Sequence, residues 1–313
     1  AGFKLLSRET FLLGNNLLLL TATFVVLMGT LFPLSGDAMD LPIYISGTYF
    51  HAFFVPLTLM LMAILVPGVL VNWKRHRWAA LKAPLIWATV GGVITGFLAS
   101  LWPEPTSFVG TLAMIMVMYV VIGHLYDWYK KATAFRQGIW RGSRRLQRSY
   151  YGMILAHCGL ALVVAGITMV THHEIERDVR MVPGDTVSVG GFDFTFEDVK
   201  PRKGPNYDAM RGTFLVEKNG RKVTYMYPEK RNYRVAQQVM TQVALRPGLI
   251  FDLYVALGEE LDMPGAWAVR VYYKPGVRWL WLGALIMAIG GLLAAMDKRY
   301  RKPMPSGKQE QVA

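Results

Sequence analysis

A polytopic α-helical membrane protein of six transmembrane helices, with a small β-rich external domain between the fifth and the sixth, is the fold class that three observations on this 313-residue sequence predict. Apolar runs of about twenty residues recur, and at about 1.5 Å per residue each crosses the roughly 30 Å hydrocarbon layer of a bilayer. Lys and Arg gather in short loops at alternate ends of those runs. About a hundred residues of mixed polarity with strand-like alternation then separate the fifth run from the sixth. A hydrophobic content of 53% and a mean hydropathy of +0.29 agree with this class and exclude an ordinary soluble domain.

The spans read, in order, about 11–33, 49–71, 83–102, 107–129, 149–171 and 277–296, bounded by Gly, Pro and charge. Lys74, Arg75, Arg77 and Lys82 lie between spans two and three, and Lys130, Lys131, Arg136, Arg141, Arg144, Arg145 and Arg148 between spans four and five. Those loops are cytoplasmic by the positive-inside rule, as is the tail carrying Lys298, Arg299, Arg301 and Lys302. The loop from Leu34 to Thr48 holds Asp37 and Asp40 without Lys or Arg, and the Trp102–Ser107 turn has no basic residue either. Both therefore lie outside. The resulting organisation is helices one to five over 1–171, an external domain over 172–276, helix six over 277–296 and a cytoplasmic tail over 297–313, with both termini of the chain inside. The chain opens at Ala1 without a leader pattern and reads as one piece of a larger protein.

The formal charge of +13 points to nucleic acid only if it is concentrated on one surface, and it is not. The external region carries 15 Lys and Arg against 14 Asp and Glu, so the excess is topological and no nucleic-acid partner is expected. Within that region Asp185–Val199 alternates apolar and polar residues. Residues 213–227 read as a hairpin turning at Asn219-Gly220 in type I′, and 266–275 as a strand leading into span six. The single cysteine, Cys158, is in mid-span, which excludes a disulfide framework within the chain.

The fifth span, YYGMILAHCGLALVVAGITMVT, contains one histidine, His157. An ionisable group on a spanning helix costs on the order of 2 kcal/mol or more unless it meets protein, water or a cofactor. Gly152, Gly159 and Gly166 recur every seven residues and make a line where another helix can approach, with His157 roughly opposite. From the residues alone, axial ligation of a haem or another metal and a hydrogen bond to a neighbouring helix stand even for His157. A second ligand at the same depth exists in His124. It lies about six residues, roughly 9 Å, from the cytoplasmic end of span four, while His157 lies about eight residues, roughly 12 Å, into span five. An interfacial polar role beside Asp127 and Trp128 competes for His124. His51 reads as an interfacial residue, His76 carries no signal, and His172-His173 do not form a metal site. Asn15 and Asn16 could bond across helices or serve a ligand, helix packing being the commoner role of such residues, and Gly92 and Gly96 read as a packing motif. No phosphate-binding loop, dinucleotide fingerprint, zinc signature or nucleophile elbow is present.

Several strings together resemble the C-terminal half of the CcmF family, the haem lyase subunits of bacterial cytochrome c maturation. They are LSRETFLLGNNLLL (6–19), GTLFPL (29–34), YGMILAHCGLAL (151–162), IERDVRM (175–181), GPNYDAMRG (204–212), EKRNY (229–233), DLYVALGEEL (252–261) and WAVRVYYKPGVRW (267–279), in matching order and spacing. The resemblance implies part of an enzyme complex of the inner membrane that attaches haem to apocytochrome c on the periplasmic side, not expected to act as this chain alone. It implies His157 as an axial ligand of a transmembrane haem b that reduces the haem being attached, with quinol as electron donor. Implied partners are the N-terminal half of CcmF, the haem chaperone CcmE, CcmH-type subunits and apocytochrome c. The family's Trp-rich motif, its other haem b ligand and its two external histidines fall in the preceding half and have no counterpart here. A non-catalytic membrane scaffold for the same partners is the alternative.

Overall fold

The computed structural model describes residues 6–73, 78–102, 105–136 and 138–297. Lys74–Arg77 with His76, part of the Trp102–Ser107 turn and the tail from Lys298 lie outside the described residues. The chain divides into two compact units, one of residues 1–164 with 282–313 and one of residues 165–281.

Among the described residues six helices are long and apolar enough to cross a membrane: α1 (Arg8–Asp37), α2 (Gly47–Leu70), α3 (Trp78–Ser100), α4 (Phe108–Thr133), α6 (Arg148–His173) and α7 (Val277–Ala295). A short α5 (Ile139–Arg145) stands between α4 and α6 in the basic segment that the sequence reads only as a loop. Several helices run past their apolar stretch because local chemistry extends them. Ser7 caps α1 by accepting from the Thr10 amide at 3.3 Å, so the helix starts at Arg8 rather than near residue 11. Ser107 caps α4 in the same way, accepting from the Gly110 amide at 3.2 Å, at the start the sequence predicts.

Helices come together where side chains are smallest. On α3, a β-carbon at Gly96 would lie 2.4 Å from the Cα of Ile115 on α4, so the Gly92/Gly96 pair does the packing expected of it. The heptad-spaced glycines of α6 find an equal partner on α7: Gly152 faces Gly290 and Gly159 faces Gly283. As the number rises on α6 it falls on α7, so the two helices are antiparallel with their backbones in contact.

The second unit contains ten antiparallel strands in two sheets. One runs β1 (Ile175–Met181), β10 (Trp267–Pro275), β9 (Phe251–Glu260), β8 (Ala244–Arg246). The other runs β2 (Thr186–Val189), β3 (Phe192–Lys203), β4 (Tyr207–Lys218), β6 (Glu229–Tyr233), β7 (Gln238–Gln242), with β5 (Arg221–Met226) paired to β4. Asn219 and Gly220 both take positive φ, 52° and 69°, as a type I′ turn requires, and link β4 to β5. Asp185–Val199 is broken at Gly190-Gly191, φ 60° and 75°, into the β2–β3 hairpin. Alternate residues build the core, Phe194, Phe196, Phe214 and Val216 from one sheet and Leu253, Val255, Leu257, Val269 and Val271 from the other.

Two carboxylates of this unit, Glu229 and Asp252, are buried. Glu229 accepts from Arg202 at 2.7 Å and from Arg211 and Arg231 at 2.8 Å. Burial by itself would push its carboxyl up, but the Arg211 and Arg231 guanidiniums hold it below the usual carboxylate range. A lowered folded pKa means that the contribution is full above the ordinary carboxylate value and is lost as pH falls through the lower folded one. Glu229→Gln should cost about 1–3 kcal/mol, because three partly exposed guanidiniums lose their shared acceptor. Amide exchange in β4 and β6 at pH 7 should quicken in this variant, and at pH 3 the difference from wild type should shrink. A constant difference across that range would show that Glu229 acts by shape alone.

Candidate functional site

His124 lies nine residues before Thr133 on α4 and His157 nine residues after Arg148 on α6, so each ring sits roughly 13 Å from its helix end. The two rings meet. His124 Nε2 and His157 Nδ1 are 2.7 Å apart, with ring centroids at 4.9 Å and planes at 85°. His124 Nδ1 is 2.8 Å from the Val120 carbonyl oxygen, one turn earlier on its own helix.

That carbonyl fixes the protons. A carbonyl only accepts, so His124 carries its hydrogen on Nδ1 and, with both rings neutral, presents a lone pair at Nε2. His157 must then donate from Nδ1. Its Nε2 is left without a hydrogen and, among the described residues, without a partner. An imidazole with the distal nitrogen bare and the near nitrogen donating is the form in which histidine binds metals.

His124 is 2% exposed, so it belongs to the interior and not to the membrane interface. The matching depths permit both histidines on one metal, but the structure does not take that arrangement. Ligands on opposite faces of one iron need the metal and its macrocycle between their nitrogens, and a 2.7 Å separation leaves no such room. One turn beyond His124, Asp127 accepts from Lys131 Nζ and Tyr150 Oη, both at 2.7 Å, which ties the ends of α4 and α6 together around the pair.

His157 lines a cavity of about 150 Å³. One wall is Arg8, Phe11, Leu12 and Asn15 of α1, whose spacing of three, four and seven is a single helical face. A second wall is Ile64, Leu65, Gly68 and Val69 of α2, and Met153 stands one turn before His157 on α6. Small-molecule pockets occupy roughly 300–1,000 Å³, so the cavity as lined by this chain is smaller than such a pocket. The chemistry fits part of a haem site: one bare imidazole nitrogen, apolar side chains suited to a flat macrocycle, and a guanidinium at the edge.

The other described histidines are elsewhere. His51 is exposed at the start of α2, and His172 and His173 end α6, the first partly exposed and the second buried. Among the described residues no three His, Cys, Asp or Glu side chains gather as a metal cluster.

Residues 172–275 match the family model described as the CcmF C-terminal beta-sandwich. The chain is 42% identical over 304 residues to the cytochrome c-type biogenesis protein CcmF of Pseudomonas aeruginosa, covering 96% of this chain and 45% of that protein. It is 41% identical over 298 residues to CcmF of Escherichia coli, covering 95% and 45%. The chain belongs to the CcmF-type cytochrome c biogenesis proteins. A solved structure titled cytochrome c heme lyase CcmF matches with a TM-score of 0.72 at 19% identity, covering 94% of this chain and 46% of that one, which is a likeness of fold. The chain thus spans about half the length of the CcmF proteins it matches.

Two polar residues that line the cavity are hard to read from the sequence. Arg8 is one of three charges ahead of the first span, with Lys4 and Glu9, and Asn15 reads as a polar packing residue or a ligand contact. Their common face with Phe11 and Leu12 is the only signal of a shared wall, and it shows only once α1 is known to start at Arg8.

Proposed function

We propose that this chain is the C-terminal part of a cytochrome c haem lyase and that His157 is an axial ligand of a haem b shared with the preceding half of the protein. The observation that carries the reading is the bare Nε2 of His157, bordering a cavity and backed at Nδ1 by His124. A haem bound there supplies one-electron redox chemistry, used to keep the haem being attached in the ferrous state, with quinol as the donor. The chain's own contribution is to hold the imidazole in one tautomer and one plane, and to line part of the cavity with apolar side chains that exclude water. His124 in this reading is the group behind the ligand, and the second ligand comes from the preceding half.

The basic segment from Lys130 to Arg148 faces the cytoplasm by the positive-inside rule, so the β-sandwich lies on the periplasmic side of the inner membrane, with both ends of the chain inside. There the sandwich meets apocytochrome c, CcmE and CcmH-type subunits. The chain alone does not complete the reaction.

A dithionite-reduced minus oxidised visible spectrum of the purified chain tests this, taken with and without the preceding half, in wild type and in His157→Ala. A low-spin b-type spectrum that requires both halves and vanishes in His157→Ala is the expected result. Full haem retention in His157→Ala would sink the ligand assignment and leave the scaffold reading in its place.

A further inference from the structure

We propose that Arg8 anchors the acidic edge of the ligand held at His157, with the propionate carboxylates of haem as the chemical class it takes, and that Asn15 supports the same ligand with its side-chain amide. The inference rests on the haem reading above and adds the anion site. Arg8 lines the cavity that His157 borders. Its guanidinium carbon lies 5.2 Å from the centroid of the Trp73 ring, a cation–π contact, and Arg8 forms no ion pair among the described residues. No group among the described residues accepts a hydrogen bond from its side-chain N–H donors, and these match a carboxylate in fork geometry. Its backbone is fixed, because the Arg8 amide donates to the Asn72 carbonyl at 3.1 Å and the buried Ser7 caps the helix immediately before it.

Asn15 stands two turns along the same face, roughly 10 Å from Arg8. Its amide has no hydrogen-bond partner among the described residues, on a helix where an unpaired polar group is costly. Between the two lie only Phe11 and Leu12 on that wall. A cation at one end, an apolar floor and a bare imidazole nitrogen together describe the surroundings of a flat ligand with charge on one edge. The competing occupant of Arg8 is a lipid phosphate, which a cation near a helix end attracts by snorkelling.

The experiment compares protohaem with its dimethyl ester, which keeps the macrocycle and iron but has no carboxylates. Each is titrated into this chain joined to its preceding half, prepared from haem-deficient cells, in wild type, Arg8→Gln, Arg8→Lys and His157→Ala. Wild type should bind the acid about 10–100-fold more tightly than the ester, the range of a charge-assisted bidentate pair. In Arg8→Gln that ratio should fall toward one while ester affinity is kept, which also shows that the variant folds. Arg8→Lys should keep part of the preference. An acid-to-ester ratio unchanged in Arg8→Gln overturns the proposal and assigns Arg8 to lipid, and equal loss of both ligands overturns it in favour of a structural role. His157→Ala reports separately on the haem reading: if it binds both ligands as wild type does, that reading fails and the anchor fails with it.

Discussion

Gly159→Leu is expected to prevent α6 and α7 from assembling. A β-carbon at Gly159 would lie 2.7 Å from the Gly283 carbonyl oxygen, and one at Gly283 would lie 2.6 Å from the Gly159 carbonyl oxygen. Main chain touches main chain here, so no rotamer change relieves the clash and the helices must part. Overpacked cores lose about 1–3 kcal/mol when side chains can adjust, and a backbone contact loses at least the upper end of that range. The contact also relies on closely approaching backbones for its attraction, since lipid tails give helices no hydrophobic reason to pair. Gly291, one residue after a contact glycine on the same helix, has open space where its β-carbon would be. Gly291→Ala should therefore be tolerated, and gains up to about 1 kcal/mol of helix propensity. Detergent size-exclusion profiles and thermal aggregation midpoints of the two variants check this. A Gly159→Leu protein as monodisperse and heat-resistant as Gly291→Ala would mean that the close approach is not needed for assembly.

The glycine line on α6 was legible because period and residue type are both written in the chain. Its partner was not, since Gly276, Gly283 and Gly290 carry the same period but sit more than a hundred residues later. In the β-sandwich, Asn219-Gly220 announced its turn through local chemistry. The strands between Glu229 and Arg246 are short and mixed in polarity, and pairing with β4 and β9 defines them, which no local pattern reports. His157 stood out through the cost of a polar group in lipid. Its relation to His124 could be narrowed to equal depth and no further, because depth fixes height in the membrane and leaves the azimuth around each helix open. Only that azimuth separates two ligands facing each other across a metal from two rings sharing a proton.

On the proposed haem ligation by His157, the proton shared with His124 makes His124 a positioning residue whose loss has a direction. In His124→Ala the His157 Nδ1–H keeps its burial and loses its acceptor, which costs about 1–3 kcal/mol, and the ring gains freedom to turn out of its plane. A partner behind a metal-binding histidine is worth about 10–100-fold in affinity, so haem retention should fall by that factor. The sign of the redox effect follows from basicity. Without an acceptor at Nδ1, His157 is a poorer electron donor at Nε2 and stabilises ferric iron less, so the midpoint potential should rise. His124→Gln puts a side-chain carbonyl within reach of the same proton and should recover part of both properties. A helix-packing role for His124 would lower haem content in both variants without moving the potential of the haem that remains. Potentiometric titration of the retained haem in wild type, His124→Ala and His124→Gln therefore decides the matter: an upward shift in Ala reversed in Gln is the signature of the Val120–His124–His157 chain. Identical potentials in all three would reduce the 2.7 Å contact to packing.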